Sequence, residues 1–386
     1  MKSIAMITYP DIADGKGRFL QAYALYSFIK SLGFDVEIID YVGIVQENKV
    51  QRFLRHLGML SVKNIKEYFY IRKERHIMQA ISTERRRQRK TYEDFIYTNI
   101  KMSKKFHRYE DLVEYSKKFD AVVCGSDQIW NPYYWGKDSV YYASFVSENQ
   151  RISYAASIGT IDIDDNSLTL ISSKIRHMRA ISVREESAAQ MLKERAGINA
   201  KVVVDPTFLM TREWWNTYSA LPLQEQDYIL TFFFDNSLGC REFAKRLGEK
   251  YRIKLINIPE TSSDVKSTID KWSNLGPHEF ASAFRNAKYI VTQSFHGVVL
   301  SILYRKEFFV LDRTTEFAVS GLMSRITDML KRFGLEDRII QGTENLNDID
   351  RAIDYEKVYM KIDQYAEEGR RFLIEALEEV TNEVKQ

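Results

Sequence analysis

The fold is decided by the stretch Tyr289-Ile-Val-Thr-Gln-Ser-Phe-His-Gly-Val-Val-Leu-Ser-Ile-Leu303. Its first part, Tyr289 to Thr292, is short, apolar and rich in β-forming residues. A mostly apolar run, Val298 to Tyr304, follows the Ser-Phe-His-Gly sequence at once. This pattern predicts a strand, a tight turn and a helix, with the turn at the carboxyl end of a sheet strand. Open α/β folds bind their ligands at that edge.

The turn itself has two interpretations. Backbone N–H groups at the start of a helix attract anions, and a histidine such as His296 can move protons near neutral pH. Ser294, His296 and Gly297 would then form part of a reaction site. In the structural interpretation, Ser294 is the N-cap of the helix and His296 only occupies its first turn. Both interpretations stay open at this point.

Length and composition indicate an ordinary globular protein. The chain has 386 residues, enough for about two domains. It is 45% hydrophobic and 28% charged, and its net charge of +3 is too small to indicate a nucleic-acid partner. Two cysteines make no disulfide framework, and we expect a cytoplasmic location. The first apolar run is too short for a signal peptide, and no apolar run is long enough to span a bilayer.

Strand and helix patterns alternate along most of the chain. A strand at Ile4–Tyr9, a helix at Arg18–Leu32 and a strand at Val36–Tyr41 form a βαβ opening, which implies a parallel sheet. Further along, a helix is predicted at Ser172–Ala180, and a second series begins near Tyr228. The alternation predicts an α/β protein with two Rossmann-like, doubly wound domains. The predicted units are residues 1–205, with a basic helical insert at about 48–95, residues 206–352, and a terminal helix at 353–386 that packs back on the first domain.

The insert is the least conventional segment. From Arg52 to Lys90 it is rich in Lys and Arg, contains few acids, and carries Tyr68-Phe-Tyr70. One interpretation is a solvated helical face. The others are contact with an anionic membrane surface, which would place the protein peripherally at the inner face of the membrane, or with an anionic lipid-linked substrate.

Three further loops follow predicted strands and carry polar residues. The glycines of Asp14–Arg18 would let the backbone approach an anion, or they form a simple tight turn. The loop Gly125–Pro132 sets polar groups beside an aromatic, which suits a hydroxyl-rich ligand, although Ser126 or Asp127 could be an N-cap. Arg184 could bind a phosphate or carboxylate, or pair with Glu185. Downstream, Arg325 is either one more cation of the site or a surface residue.

The sequence predicts no metal site and no cofactor. The six histidines do not pair with each other or with the cysteines at metal-ligand spacings. No Gly-x-Ser-x-Gly nucleophile elbow is present.

At these loops the chain resembles the polysaccharide pyruvyl transferase family. The segments that match the family's motifs, in the family's order, are Gly17-Arg-Phe-Leu-Gln-Ala-Tyr-Ala-Leu25, Phe119-Asp-Ala-Val-Val-Cys-Gly-Ser-Asp-Gln-Ile-Trp-Asn-Pro132, Ile152-Ser-Tyr-Ala-Ala-Ser157, Ile181-Ser-Val-Arg-Glu185, Val204-Asp-Pro-Thr207, Thr292-Gln-Ser-Phe-His-Gly297 and Leu335-Glu-Asp-Arg338. Three places depart from the common pattern. Gly15-Lys16-Gly17 stands where the family often has Asn-Tyr-Gly or a similar sequence. Gln293 stands where the family often has Asp, and Ser294 stands where some active members have a basic residue.

The resemblance implies a fold, a reaction and roles for residues. The fold would be glycosyltransferase-B-like, with two Rossmann-like domains facing a cleft. The reaction would move the enolpyruvyl group of phosphoenolpyruvate onto a sugar of a polysaccharide or a lipid-linked oligosaccharide, forming a ketal and releasing phosphate. His296 would be the catalytic general acid. The donor would be bound by Arg184, Ser294, Gly297 and Arg325. The acceptor side of the cleft would be lined by Gly17, Arg18, Gln21, Ser126, Asp127, Gln128, Trp130 and Asn131.

Two other functions fit the same architecture. One is a glycosyltransferase that uses a nucleotide-sugar donor. The other is a non-catalytic protein that binds glycan or membrane.

Overall fold

The computed structural model describes residues 2–9, 11–42, 72–134, 139–219, 222–311, 323–349 and 351–383. Its strands are β1 (Ser3–Ile7), β2 (Asp35–Ile38), β3 (Ala121–Cys124), β4 (Arg151–Ser153), β5 (Ser182–Val183), β6 (Lys201–Val202), β7 (Tyr228–Phe232), β8 (Lys254–Asn257), β9 (Asp270–Lys271), β10 (Tyr289–Thr292), β11 (Glu307–Leu311) and β12 (Ile339–Ile340). Its α-helices are α1 (Lys16–Ser31), α2 (Ser82–Asn99), α3 (Tyr109–Ser116), α4 (Asp165–Ile175), α5 (Glu186–Ala196), α6 (Arg212–Tyr218), α7 (Leu238–Tyr251), α8 (Ser262–Lys266), α9 (Pro277–Arg285), α10 (Phe295–Leu303), α11 (Ser324–Phe333), α12 (Leu346–Ile349) and α13 (Tyr355–Glu383).

The amino-terminal half is built on a parallel sheet. Its strand order is β2-β1-β3-β4, with Ile4 facing Val36 on one side and Ala121 on the other. Isolated bridges from Ile152 to Ala180 and from Ala156 to Val183 connect this sheet to the short β5–β6 pair. The order reverses between β1 and β3, so the crevice for a ligand lies beyond the carboxyl ends of these two strands.

The carboxyl-terminal half repeats this principle with a larger parallel sheet. Its order is β12-β11-β10-β7-β8-β9. Strands β7 and β10 are neighbours in register, with Ile290 opposite Leu230, and the order reverses between them. The Ser-Phe-His-Gly turn comes directly after β10, and α10 begins at Phe295. The predicted strand, turn and helix are therefore confirmed at this switch point.

One predicted helix was misplaced. The sequence predicted a helix from Ser172 to Ala180, but α4 runs from Asp165 to Ile175. The helix starts earlier because the Asp164 carboxylate accepts a hydrogen bond at 2.8 Å from the backbone N–H of Ser167, an N-cap. Ala180 instead forms a parallel bridge to Ile152, so the residues before β5 are extended.

The terminal helix α13 packs back on the amino-terminal half. Its Leu373 and Leu377 are fully buried. The Lys2 ammonium donates a hydrogen bond at 2.6 Å to the Thr381 hydroxyl, and Arg179 pairs with Glu379 at 3.1 Å. Among the described residues, no helix is long and apolar enough to cross a membrane.

The insert is helical where it is described, over 72–78 and in α2, whereas residues 43–71 lie outside the described part. Two arginines of α2 pair with acids from outside the helix. Arg89 pairs with Asp11 at 2.8 Å and, within α2, with Glu93 at 2.8 Å. Arg85 pairs with Glu260 of the carboxyl-terminal half at 2.9 Å. Helix α2 therefore contacts both halves of the protein.

Two other arginines of α2, Arg86 and Arg87, are exposed. Contact of the insert with a membrane surface or a lipid-linked substrate stays a prediction.

Candidate active site

A cavity of about 420 Å³ lies where the two switch points face each other. The amino-terminal half contributes the loop after β1, the start of α1 and the loop after β3. The carboxyl-terminal half contributes the start of α10 and the loops after β7 and β8, while α2 forms one side. The residues that line it are Tyr9, Ala13, Asp14, Gly15, Lys16, Gly17, Arg18, Arg85, Gln88, Arg89, Tyr92, Asp127, Gln128, Tyr134, Phe232, Phe234, Glu260, Ser294, Phe295, His296 and Arg325.

The start of α10 is closed by a side-chain cap. The Ser294 hydroxyl accepts a hydrogen bond at 3.1 Å from the backbone N–H of Gly297. The Ser294 backbone N–H in turn donates to the Thr292 hydroxyl at 3.0 Å. A Cβ on Gly297 would lie 2.6 Å from that same hydroxyl, so the turn needs a glycine there. The structural interpretation of Ser294 is thus correct, and the cap fixes His296 in the first helical turn facing the cavity.

His296 has a buried carboxylate behind it. Its Nε2 lies 3.6 Å from Oδ2 of Asp205, which is too long for a hydrogen bond but within ion-pair distance of a protonated ring. Oδ2 of Asp205 also accepts a hydrogen bond at 2.7 Å from Arg184. Burial alone would raise the pKa of Asp205, but the contact with His296 and the charge of Arg184 hold it well below its usual value. Asp205 therefore stays ionised and orients the imidazole.

The other ring nitrogen of His296 faces α1. A Cβ on Gly17 would lie 2.4 Å from Nδ1 and 2.7 Å from Cγ of His296, so only a glycine lets the helix approach the ring this closely. Because Nε2 is turned towards Asp205, Nδ1 is the nitrogen on the side of α1. The geometry assigns any proton transfer to that atom, since the partner of one ring nitrogen fixes the role of the other.

The start of α1 differs from that of α10 because it has no side-chain cap. Its N-cap is Gly15, and the first intrahelical bond runs from Phe19 N–H to the Gly15 carbonyl at 2.8 Å. The N–H groups before Phe19 have no helical acceptor. Arg18 stacks on Tyr9 at 3.9 Å from the ring centroid and, within the described residues, lies within ion-pair distance of no acid. This end of the cavity suits an anion.

Arg184 does not line the cavity. Only 6% exposed, it lies behind Phe295, whose ring it covers at 4.1 Å. It is surrounded by the carboxylates of Asp205 at 2.7 Å, Glu185 at 3.5 Å and Asp127 at 3.7 Å. Burial would lower the pKa of its guanidinium, but these charges hold it above the usual value. The structural pairing with Glu185 is present, and direct donor binding by Arg184 stays a prediction.

Arg325 lies on the cavity side of the same cluster. Its Nη1 is 3.9 Å from Oδ1 of Asp127. Burial would raise the pKa of Asp127, but the charges of Arg184, His296 and Arg325 hold it below the usual value. The Asp127 carboxylate therefore lies between Arg184, which is buried, and Arg325, which lines the cavity.

The prediction that the whole Gly125–Asn131 loop lines the cleft needs correction. Asp127 and Gln128 line the cavity, whereas Ser126, Trp130 and Asn131 are fully buried behind them. The Trp130 indole donates to the Tyr141 carbonyl at 3.0 Å, and the Asn131 side chain accepts from Tyr133 N–H at 2.9 Å. These polar groups make their hydrogen bonds inside the protein, so they stabilise the loop and do not face a ligand.

Gln21 stabilises the loops of the site from within the protein. Gly297 lies behind the Ser294 cap of α10. The Gln21 amide donates at 3.1 Å to the Thr8 hydroxyl, and its oxygen accepts at 3.1 Å from Ser126 N–H. It ties α1 to the loops after β1 and β3. Among the predicted residues, Gly17, Arg18, Asp127, Gln128, Ser294, His296 and Arg325 do line the cavity.

Sequence reasoning missed two parts of the site. Asp205 was noticed only as part of the Val204-Asp-Pro-Thr207 motif, and no role followed from its position, 91 residues before His296. The wall formed by α2, with Arg85, Gln88 and Tyr92, was also missed. The basic composition of the insert was visible, but only the fold shows which face of α2 meets the cleft.

Comparison with known proteins identifies the family. The sequence profile of the polysaccharide pyruvyl transferases matches residues 16–315, which is most of the chain. The chain belongs to this family. Its members are transferases, and the resemblance inferred from the motifs is confirmed. No curated protein matches the sequence significantly.

Solved structures with the same fold are glycosyltransferases and epimerases of the glycosyltransferase-B type. A putative UDP-N-acetylglucosamine 2-epimerase from Listeria monocytogenes has a TM-score of 0.53 and 10% identity, over 95% of this chain and 91% of that one. UDP-GlcNAc 2-epimerase from Neisseria meningitidis has a TM-score of 0.51 and 11% identity, over 98% and 100%. The glycosyltransferase SnogD from Streptomyces nogalater has a TM-score of 0.50 and 11% identity, over 97% and 99%. At this identity they establish the fold alone, and the predicted fold class is confirmed.

Proposed function

We propose that this pyruvyl transferase moves the enolpyruvyl group of phosphoenolpyruvate onto a saccharide and releases phosphate. The observation that carries the proposal is one juxtaposition in the cavity. His296, held from behind by Asp205, turns Nδ1 towards the uncapped start of α1, beside Arg18. A proton donor and an anion-binding helix end thus share one small space.

The proposed reaction conserves atoms in three steps. A proton passes from His296 to the methylene carbon of phosphoenolpyruvate, and the adjacent carbon becomes oxocarbenium-like. One sugar hydroxyl attacks this carbon, and its proton passes to His296, which regains the proton that it gave up. A second hydroxyl of the same sugar then displaces the phosphate, which leaves with the proton of that hydroxyl as the ketal ring closes. A positioned general acid typically contributes about 10²–10⁴-fold to such a rate. The reaction needs no cofactor.

The charges of the cavity suit this donor. Phosphoenolpyruvate carries a phosphate and a carboxylate, and the cavity presents Lys16, Arg18 and Arg325 together with the amides at the start of α1. Lys16 already contacts Glu260, and Arg325 faces Asp127. Arg18 has no such acid among the described residues, so we assign it the principal contact with the donor's anionic groups.

The departure at position 294 has a physical meaning in this proposal. Where some family members have a basic residue, Ser294 caps α10 and contributes no positive charge. The proposal therefore places the donor's charge nearer to α1 than to α10. The acceptor is a saccharide of a polysaccharide or of a lipid-linked precursor, and the enzyme would meet the latter at the inner face of the membrane.

The test is phosphate release from phosphoenolpyruvate in the presence of a crude cell-envelope glycan fraction. The wild-type protein should release phosphate only when glycan is present, and His296→Ala should lose most of that activity. Met360→Ala, which changes a 67% exposed side chain, serves as the control. A parallel reaction with UDP-N-acetylglucosamine tests the alternative donor. Release of UDP without release of phosphate would replace the proposal with a nucleotide-sugar glycosyltransferase, and no release in either reaction would favour a non-catalytic glycan-binding protein.

A further inference from the structure

A second cavity, of about 440 Å³, lies beside the first. It opens over the ends of β1 and β2, on the side of the amino-terminal half away from the carboxyl-terminal sheet. Tyr9, Ala13 and Arg89 line both cavities, so the two cavities adjoin at these side chains. A ligand held in the reaction cavity could therefore continue directly into the second one.

The charges of the two cavities differ. In the second, each cation among the described lining residues lies near an acid: Arg89 pairs with Asp11 and Glu93 at 2.8 Å, Lys105 lies 3.8 Å from Asp40, and Lys101 pairs with Asp35 at 2.6 Å. The reaction cavity has an excess of cations and includes Arg18, which has no acid at ion-pair distance among the described residues. The second cavity therefore suits an uncharged ligand better than a diphosphate.

The surfaces of the second cavity combine apolar and polar groups. Buried isoleucines such as Ile38 and Ile96 form apolar parts of the wall. Tyr97 stands at its edge with 91% of its surface exposed, so its ring is available to a ligand. The carboxylates of Asp40 and Glu93 can accept hydrogen bonds from the hydroxyls of a ligand. Aromatic faces with a few placed polar groups, in a space of this size, are typical of a small-molecule site and match the C–H faces and hydroxyls of a sugar.

We propose that this second cavity binds the uncharged sugar units of the acceptor that adjoin the reacting sugar. The inference rests on the proposed function, which requires a saccharide whose reacting unit lies in the first cavity next to the donor. A longer acceptor must leave that cavity, and the second cavity offers it an adjoining, charge-balanced path. The ligand class is thus a neutral oligosaccharide, and Tyr97 is a residue that determines affinity for it.

The test uses an array of neutral and charged bacterial surface oligosaccharides, probed with the full chain. Glycans that bind the wild-type protein are then titrated against Tyr97→Ala, Tyr97→Phe and the control Met360→Ala. We expect Tyr97→Ala to weaken binding of neutral glycans by on the order of tenfold, since it removes one aromatic contact. Tyr97→Phe keeps the ring face and should retain binding, as should Met360→Ala. None of the three changes should alter the affinity for phosphoenolpyruvate.

The outcomes separate this inference from the proposed function. Equal binding of neutral glycans by the wild type and Tyr97→Ala overturns the inference. Binding restricted to charged glycans, or to vesicles containing a polyprenyl diphosphate, overturns it as well, as does the absence of any glycan binding. If Tyr97-dependent glycan binding is found but phosphoenolpyruvate neither binds nor reacts, the second cavity stands and the proposed donor is wrong.

Discussion

Two helices, α1 and α10, begin at the same cavity, and they begin in different ways. Helix α10 is capped by Ser294, whose hydroxyl accepts a hydrogen bond from Gly297 N–H at 3.1 Å. Helix α1 begins at Gly15 with no side-chain cap. The Ser294 hydroxyl occupies one amide at the start of α10, whereas no side chain occupies an amide at the start of α1, so α1 leaves more amide groups for a ligand.

Because of this difference, the two halves of the molecule have different roles in the site. The carboxyl-terminal half supplies a rigid turn that presents His296. The amino-terminal half supplies the free helix end, with Arg18 beside it and with Gly17 small enough for the imidazole to rest against it. The two arginines of the amino-terminal half also differ. Arg184 lies within ion-pair distance of three carboxylates, although its Nη2 has no hydrogen-bond partner among the described residues, whereas Arg18 lies within ion-pair distance of no described acid. We assign Arg18 and the amides at the start of α1 to the ligand.

The largest effect should come from His296→Ala. Because proton transfer acts in the transition state, turnover should fall by about 10²–10⁴-fold, while donor affinity changes little. Steady-state kinetics and a separate titration with phosphoenolpyruvate measure the two quantities. Wild-type turnover in this variant would remove His296 from the chemistry.

Arg184→Ala should act mainly on stability. It leaves the buried carboxylates of Asp205 and Glu185 without their cation, and breaking a buried pair in this way costs about 3–5 kcal/mol. Chemical denaturation measures the free energy of unfolding. If Arg184→Ala is as stable as the wild type and only loses affinity for phosphoenolpyruvate, Arg184 binds the donor directly, as the sequence suggested.

Arg18→Ala should show the opposite behaviour. A lost charge-assisted hydrogen bond to the donor weakens binding by about 1.5–3 kcal/mol. The free energy of unfolding should stay within about 1 kcal/mol of the wild type, because Arg18→Ala loses the stacking on Tyr9 but no ion pair with a described acid. Calorimetric titration with phosphoenolpyruvate tests this, and unchanged affinity would contradict the assignment.

Gly17→Ala should displace the imidazole of His296 while leaving its chemical groups unchanged. The added methyl carbon would lie 2.4 Å from Nδ1 of His296, so the ring or the helix must shift, at a cost of about 1–3 kcal/mol. Turnover should fall together with stability. Gly239→Ala is the matched control, because its Cβ would meet nothing closer than 3.8 Å. Equal activity of both variants would show that the contact with Gly17 does not position His296.

The smallest effect should come from Ser294→Ala. Loss of an N-cap costs about 0.5–2 kcal/mol of stability, and affinity for phosphoenolpyruvate should change little because Ser294 is already used by the helix. Ser173→Ala, at an exposed position in α4, is the control for denaturation. A large loss of donor affinity in Ser294→Ala would move the anion site to α10.

Much of the fold could be predicted because its signals are local. The apolar run before Ser294, the glycines before α1 and the alternation of strands and helices each depend on neighbouring residues. The helix predicted at Ser172–Ala180 was misplaced because its start is set by the cap at Asp164.

The site was harder to predict because its contacts are distant in sequence. His296 was recognised from its turn, but Asp205 and Gly17 meet it only in the folded chain. Trp130 and Asn131 lie in the same loop as Asp127, yet they point into the core, and loop composition does not reveal side-chain direction. The resemblance implied donor binding by Arg184 and an acceptor-side position for Arg18, and only the fold shows that carboxylates surround the buried Arg184 while Arg18 lines the cavity.

The central claim is that the donor binds at the free end of α1 beside His296. A crystal structure with phosphoenolpyruvate bound tests it most directly. We expect one of the anionic groups of phosphoenolpyruvate to lie within hydrogen-bond distance of the Arg18 guanidinium and the first amides of α1. Its methylene carbon should lie next to Nδ1 of His296. Phosphoenolpyruvate bound at Arg184 with Arg18 uninvolved, or bound outside this cavity, would contradict it.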